Sequence, residues 1–576
     1  MSINRPEAVS HVAAAAALAE NAFLGPVLAR AEADPGAVFG QFHEAGGWTE
    51  VTLGEALRRA RQFAALYAAH EVPAGATVML VIRQDRDAPA AFLGAMLAGL
   101  VPSFLPCPSA KQDPALYWHQ HKTVLAFNRP PLVLVPDDLL ADMGACAEGS
   151  GARVVPISAV DAVTPAPLPA TLPDSDAVGL LQHSSGTTGM KKGVALSYGS
   201  IARQLAAYRA ALGLNPEHAK IVSWLPLYHD MGLISSFLLP VWLGVPILSM
   251  DPFVWVAQPE LFLEAIERFG GTHAWLPNFA FLHLARRISR KRRWRLNSLV
   301  ALISCSEPCK AAAFDAFLDR FGEEGVRAET LQTCYAMAET VFAVSQSDPT
   351  RPVRRLSVDP AGVNALGPVA PPAPDGPALT LLSNGRTIAG CAVAVLRDGI
   401  FVGSRELGEL AIRADYMFSG YHNNDAATRA AFHQGWYRTG DIGFLDQDEV
   451  FVVGRTKDII IINGKNVFVH DIEAAVSRVG GVKPGRAVAF GRYSEKSGSE
   501  LLIVVAERDD DATRDSEIQR DINRAVVEEV GVPCSDIRIV AQGWLVKTTS
   551  GKTSRSENAA KYARDFVAAD PVLPSG

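Results

Sequence analysis

Apolar residues alternate along this chain between two spacings. Short apolar runs occur at 77–82, 131–135, 152–156 and 177–181. Each reads as a buried strand. Between them the spacing becomes helical. Thr52 and Glu55 form a capping-box pair that opens a helix, with Leu57, Ala60, Phe63, Ala64 and Tyr67 on one side. Pro73 to Gly75 is a turn, and 88–100 is an apolar helix. The same rhythm continues, with strands expected at 221–224, 246–248, 274–276 and 299–303 and helices at 259–269 and 310–320. Strands alternating with helices predict an α/β fold, a mostly parallel sheet covered on both faces.

The rhythm breaks at 348–384, where Pro349, Pro352, Pro360, Pro368, Pro371, Pro372, Pro374 and Pro377 predict an irregular loop. Short strands at 392–396 and 407–413 follow, as in a β-rich subdomain. From about 458 onward short strands and helices alternate again and predict a small α+β domain. At 576 residues the chain exceeds what one core organises, so at least two domains are expected.

Composition narrows the function class. Hydrophobic residues make up 48% and charged residues 20%, as in a soluble globular protein. The net charge of −7 argues against general nucleic-acid binding. The seven cysteines include no C-x-x-C pair, which fits a reducing cytoplasm and disfavours a metal or disulfide framework. The Ala-rich stretch 12–19 is too short to span a membrane and reads as a helix, not a signal peptide. No stable membrane insertion is expected. Residues 286–295 hold seven basic side chains and one Trp. A solvated helix end is the simpler reading, and a docking patch for an acidic protein is the alternative.

Five polar clusters punctuate the apolar framework, most of them at or just after an expected strand, where α/β folds build sites. The first follows the strand at 177–181. Ser184, Ser185, Gly186, Thr187, Thr188 and Gly189 form a loop without bulky side chains, which can wrap backbone N–H groups around a polyphosphate, and Lys191 and Lys192 add charge. It lacks the Walker order. The second cluster runs from Trp224 to Leu233 and contains His229 among apolar groups. Alone, His229 reads more readily as a core histidine. The third is Ser304, Cys305, Ser306 and Glu307. The fourth holds Tyr335, which could stack on a base, and Glu339, which suits Mg²⁺ because that ion takes one or two carboxylates plus substrate phosphates. In isolation these two residues also read as a core Tyr and a surface Glu. The fifth spans Trp436 to Asp441 and continues at Gly454 to Asp458. Asp441 could take two ribose hydroxyls, or be part of a simple turn.

Together, and in this order, these clusters resemble the adenylate-forming superfamily of acyl-CoA synthetases, peptide-synthetase adenylation domains and luciferases. The resemblance runs from about Thr52 to Arg555. Residues 224–233, 277–281 and 462–466 are most similar to the fatty acyl-AMP ligase branch, which carries an insertion where the Pro-rich 348–384 stands. The resemblance implies a large N-terminal domain (1–456) and a small mobile lid domain (457–576), with Lys457 at the hinge.

It also implies chemistry. ATP and Mg²⁺ are the cofactors, a fatty acid is the substrate, and an acyl carrier protein, or a carrier domain of a larger synthase, receives the acyl group. Thr187, Thr188 and Lys192 are expected at the β/γ-phosphates, Glu339 at Mg²⁺, Tyr335 and Ser306-Glu307 at adenine, and Asp441 and Arg455 at ribose. Lys552 is expected to reach the α-phosphate and the attacking carboxylate. His229 is expected at the passage where thiol and acyl group meet, with Trp224, Met231, Phe279 and Phe281 around the acyl chain. The chain departs from the pattern at Lys191, Ala336, Val469, Val546 and Ser304 to Ser306, none of which removes a charged group. A fatty acyl-CoA ligase and a catalytically silent nucleotide-binding paralogue are the competing readings. The intact set Thr187, Lys192, Glu339, Asp441, Arg455 and Lys552 speaks against the latter.

Overall fold

The expected strands from 221 onward form one side of a large mixed sheet. The computed structural model describes residues 21–108, 114–183, 192–462, 465–494, 499–509, 514–547 and 553–567. Ile247–Ser249, Ile221–Ser223, His273–Leu276, Ala301–Ser304 and Leu331–Ala336 lie parallel, in that spatial order. They are short and buried on both faces, as their unbroken apolar character requires. Helices Glu260–Phe269, Asn278–Arg287 and Ala311–Phe321 connect or flank them.

The sheet then changes direction. Leu331–Ala336 pairs antiparallel with Ala343–Gln346, and the path continues through Arg386–Thr387, Glu449–Arg455, Trp436–Asp446, Gly408–Ala414 and Cys391–Arg397. This is the β-rich part that the sequence indicated after residue 391. The change from parallel to antiparallel pairing lies at Leu331–Ala336, and the candidate site lies there too.

The N-terminal rhythm is only partly as expected. Thr77–Val81, Leu132–Val135 and Arg153–Pro156 do form a separate parallel sheet. One of its edge strands is Val101–Leu105, which the sequence reading did not include. The helix itself is Asp87–Leu97. The strand before the Ser/Gly loop, Val178–His183, is not part of that sheet. It pairs antiparallel with Gly193–Ser197, which pairs in turn with Gly420–Tyr421. The described strands on either side of 184–191 are therefore the two arms of an antiparallel pair. The capping box at Thr52 is present in full and opens helix Leu53–Ala69.

Segment 348–384 is more ordered than its prolines suggest. Arg355–Val358 and Leu379–Leu382 pair antiparallel across the short helix Pro360–Asn364. Val358 and Val363 share a core with Phe444, Phe451 and Phe468. Beyond residue 458, Val482–Ser494 and Ser499–Arg508 pair antiparallel, Asp536–Val540 adds in parallel, and helices Val469–Val476 and Asp515–Val530 pack on them around Ile472, Val504 and Ile522. Among the described residues, polar contacts that tie this part to the rest include Lys310 Nζ to Asp471 Oδ1 at 2.8 Å and Gln120 to Glu557 at 2.9 Å. Among the described residues no helix is long and apolar enough to cross a membrane.

Candidate active site

Three strands deliver the buried charge. Tyr335 stands near the end of Leu331–Ala336, and Asp441 and Arg455 face each other across the Trp436–Asp446 and Glu449–Arg455 pair. Tyr335 OH donates to Asp441 Oδ2 at 2.6 Å, and Arg455 Nε donates to Oδ1 at 2.7 Å. The Asp441 N–H donates to Thr439 Oγ1 at 2.9 Å. Asp441 is only 3% exposed, and the Tyr335 and Arg455 donors are what make a carboxylate there tolerable. Burial, and then the Asp441 charge, push the Tyr335 phenol well above its ordinary value. The same carboxylate raises Arg455. Both effects hold Tyr335 as the neutral phenol and Arg455 as the guanidinium at any physiological pH.

Glu339 sits one turn further on, in the short helix Ala338–Thr340. Its Oε1 accepts a hydrogen bond from Tyr421 OH at 2.8 Å, and the Tyr421 and Tyr437 hydroxyls lie 3.2 Å apart. Tyr421 pairs with Val194 in the sheet register, and the Lys192 ammonium lies 4.4 Å from the centre of its ring. The strand that leaves the Ser/Gly loop is thus tied to Glu339 through one side chain. Lys457 completes the group: burial, and then Arg455, lower its pKa, with Lys192 adding to the effect. Lys192, Glu339, Asp441, Arg455 and Lys457, spread over more than 250 residues of sequence, converge on one region. Three cations there suit a polyanion, and two acidic side chains offer acceptors for hydroxyls or a cation.

Other expected site residues fall outside the described residues: Ser184, Ser185, Gly186, Thr187, Thr188, Gly189 and Lys552. Ser306 adopts a positive φ of 71°, and its hydroxyl reaches Met231 Sδ at 3.7 Å. Glu307 Oε1 accepts from the Phe279 N–H at 2.8 Å, which anchors helix Asn278–Arg287 beside the Ser306 turn. His229 Nδ1 lies 2.6 Å from Asp230 Oδ1 at the entrance to the π-type helix Met231–Leu238. Gly232 is required in that turn, because a Cβ there would sit 2.2 Å from the Pro226 carbonyl oxygen.

The four residues expected around an acyl chain do not all meet. Trp224 stacks face to face on Trp255 at 3.7 Å, and Phe279 meets both rings edge-on. Met231 is buried nearby in sequence, next to the Ser306 contact. Phe281 does not join this group. Two residues on a helix point to nearly opposite sides, so Phe281 packs on Phe314 and Phe317 in the core while Phe279 is exposed.

Sequence reasoning missed Tyr421, Tyr437 and Trp255. Tyr437 lies inside the quoted fifth cluster. Tyr421 is preceded by Gly420, and no spacing relates it to Glu339, so only the fold brings them together. Trp255 follows the Asp251 cap of helix Pro252–Ala257 and could have been found as the one buried aromatic of that turn.

Among the described residues no three His, Cys, Asp or Glu side chains are grouped to cage an ion. A single carboxylate such as Glu339 instead fits an ion that takes most of its ligands from substrate phosphates and water.

Comparison with known proteins identifies the chain's relatives. Residues 28–422 match the AMP-binding enzyme family. The chain is 30% identical over 408 residues to the medium-chain-fatty-acid–acyl-carrier-protein ligase JamA of Moorena producens, covering 68% of each chain. It is 26% identical over 524 residues to the long-chain-fatty-acid–AMP ligase FadD28 of Mycobacterium tuberculosis, covering 86% of this chain and 89% of the relative. Its fold is similar to that of a chain from a study of fatty acyl-adenylate ligases of E. coli and L. pneumophila, with a TM-score of 0.86 and 24% identity over 96% of this chain and 98% of that one.

Proposed function

This chain belongs to the AMP-binding enzyme family, and we propose that it activates a fatty acid with ATP, releases pyrophosphate, and passes the acyl group from acyl-AMP to the phosphopantetheine thiol of an acyl carrier protein. The observation that carries this reading is the buried Tyr335–Asp441–Arg455 trio beside the Glu339–Tyr421–Lys192 group. Support for a fatty acid and a carrier comes from the similarity to JamA and FadD28.

In the proposed cycle the substrate carboxylate oxygen attacks the α-phosphorus, the bond to the bridging oxygen breaks, and pyrophosphate carries away the charge. The thiol sulfur then attacks the acyl carbon, and AMP leaves. The protein forms no covalent bond, so positioning and charge stabilisation carry the rate. Asp441 accepts from the ribose hydroxyls, with Arg455 and Tyr335 holding its carboxylate in place. Tyr335 and the Ser306–Glu307 turn flank the base. Lys192, with Thr187, Thr188 and the backbone of 184–189, neutralises the β/γ-phosphates. Glu339, oriented by Tyr421, would hold Mg²⁺, which when bound supplies charge neutralisation to the phosphate oxygens. Lys552 meets the attacking carboxylate and the α-phosphate, and Lys457 is the hinge on which residues 457–576 carry it in. His229 borders the thiol passage, and Trp224, Met231 and Phe279 border the acyl chain. The site of action is the cytoplasm.

The test is to incubate the protein with ATP, Mg²⁺ and dodecanoate, and with either CoA or a holo-carrier protein. Acyl-carrier formation without rapid acyl-CoA formation supports the reading. Rapid acyl-CoA formation replaces it with an acyl-CoA ligase, and absence of fatty-acid-dependent pyrophosphate release leaves a silent nucleotide-binding protein.

A further inference from the structure

The seven basic side chains of 286–295 separate into two groups. Arg292 and Arg295 lie 2.8 and 3.6 Å from Glu267, and Arg293 lies 2.9 Å from Glu323. Arg292 also stacks on the buried Trp294 at 3.7 Å. These three belong to the fold. Arg286, Arg287, Arg290 and Lys291 are exposed and have no carboxylate partner among the described residues. Glu260 and Glu264 of the neighbouring helix line a groove beside Arg292 and Trp294, and Glu264 also faces Arg268 at 3.7 Å. Four uncompensated cations within six positions stand out in a chain of net charge −7.

Their neighbours are apolar. On helix Asn278–Arg287, Phe279, His283, Arg286 and Arg287 are spaced to share one face. Phe279 is 49% exposed, although it meets the Trp224–Trp255 stack, and His283 lies against Trp255 at 5.3 Å. Helix Pro252–Ala257, which supplies Trp255, leaves Phe253 and Val256 exposed at 47% and 38%. Exposed aromatic and aliphatic side chains therefore rim the aromatic group at one end of a helix whose other end is cationic. An acidic protein would match the cations alone. An anionic lipid surface matches both, since phosphate headgroups meet the arginines while the apolar rim enters the acyl boundary.

We propose that this face docks reversibly on anionic lipid surfaces, with the apolar rim of Phe253, Val256 and Phe279 facing the acyl chains and Arg286, Arg287, Arg290 and Lys291 facing the headgroups. Uptake of the fatty acid from that surface rests on the function proposed above, whereas the docking itself does not.

The test is co-sedimentation of the full chain with phosphatidylglycerol–phosphatidylcholine vesicles and with phosphatidylcholine vesicles. The wild type partitions onto the anionic vesicles, is released by salt, and leaves the neutral ones alone. In the double variant Arg286→Glu/Arg290→Glu the anionic partition falls about 30-fold or more. The variant's pyrophosphate release with hexanoate, a soluble acid, stays at the wild-type rate without vesicles. Failure of the wild type to bind anionic vesicles overturns the proposal, as does undiminished binding by the double variant. A raised KM for a carrier protein without vesicle binding also overturns it and assigns the patch to an acidic protein. Vesicle binding with no pyrophosphate release for any chain length of acid in either protein supports the docking and removes the fatty-acid function alone.

Discussion

Asp441→Asn tests the nucleotide site while keeping the side chain's volume and shape; it removes the charge and turns one of the two acceptor oxygens into an N–H donor. In the folded chain the carboxylate accepts from Tyr335 OH at 2.6 Å and from Arg455 Nε at 2.7 Å while 3% exposed. A hydrogen bond to a charged group contributes about 1.5–3 kcal/mol, against about 0.5–1.5 kcal/mol between neutral groups. The two ribose hydroxyls assigned to Asp441 therefore lose about 1 kcal/mol each, and a loss of about 2 kcal/mol corresponds to about 30-fold in affinity. The assay is fatty-acid-dependent exchange of labelled pyrophosphate into ATP, measured over a range of ATP. KM for ATP rises about 30-fold, and KM for dodecanoate changes little. A control uses 2′-deoxy-ATP. It is penalised in the wild type and much less in Asp441→Asn, because the substitution and the missing hydroxyl remove the same interaction. An unchanged KM for ATP, or an equal 2′-deoxy penalty in both proteins, refutes the assignment.

Three further expectations follow from other parts of the molecule. Lys552→Ala loses about 2.7–4 kcal/mol of transition-state stabilisation in adenylation, yet still transfers the acyl group from supplied acyl-adenylate. A normal exchange rate in that variant contradicts the role given to Lys552. Tyr421→Phe removes the hydroxyl that orients Glu339, so the Mg²⁺ concentration for half-maximal exchange rises about tenfold while KM for dodecanoate holds, as for loss of an outer-shell partner of a metal ligand. An unchanged Mg²⁺ requirement removes that link. His273 is 3% exposed, and burial lowers its pKa to about 4. Its neutral form is favoured by folding, so the stability it contributes is present above the unfolded pKa of about 6.5 and is lost as pH falls toward 4. The loss between about pH 7 and pH 5 is about 2 kcal/mol. Urea midpoints of His273→Gln show a shallower fall over that range, and an identical pH profile refutes the sign.

The elements that hold the site were legible where local chemistry and tertiary packing agree. The Thr52 capping box, the buried parallel strands from 221 to 304 and the amphipathic helices are of that kind. Val101–Leu105 was hidden because Pro102 interrupts its strand character, and a proline is tolerated there because this is an edge strand of the sheet. The pairing of Arg355–Val358 with Leu379–Leu382 was hidden for a related reason. Its partners are separated by a proline-rich span, and apolar residues such as Val358 face a core supplied by Phe444 and Phe468 from far along the chain. The antiparallel partner of Val178–His183 lies just past the Ser/Gly loop, and loop composition alone does not say whether a helix or a returning strand follows.

The candidate site divides in the same way. Glu339, Asp441 and Arg455 stood in sequence in the order that the resemblance to the adenylate-forming superfamily implies, although Asp441 lies mid-strand in Trp436–Asp446 and Arg455 ends Glu449–Arg455. The hydroxyl of Tyr421, which links Glu339 to the strand after the loop, carries no such mark. Phe281 illustrates the reverse error: an aromatic two residues from Phe279 shares its sequence neighbourhood and not its helix face.

The most direct measurement of the central claim is the mass of a holo-carrier protein after incubation with this enzyme, ATP, Mg²⁺ and dodecanoate. The account predicts that the carrier gains one dodecanoyl group, that pyrophosphate and AMP appear in equal amounts, and that Asp441→Asn slows the gain at low ATP. A carrier of unchanged mass, with no acyl-adenylate and no pyrophosphate for any chain length of acid, contradicts it.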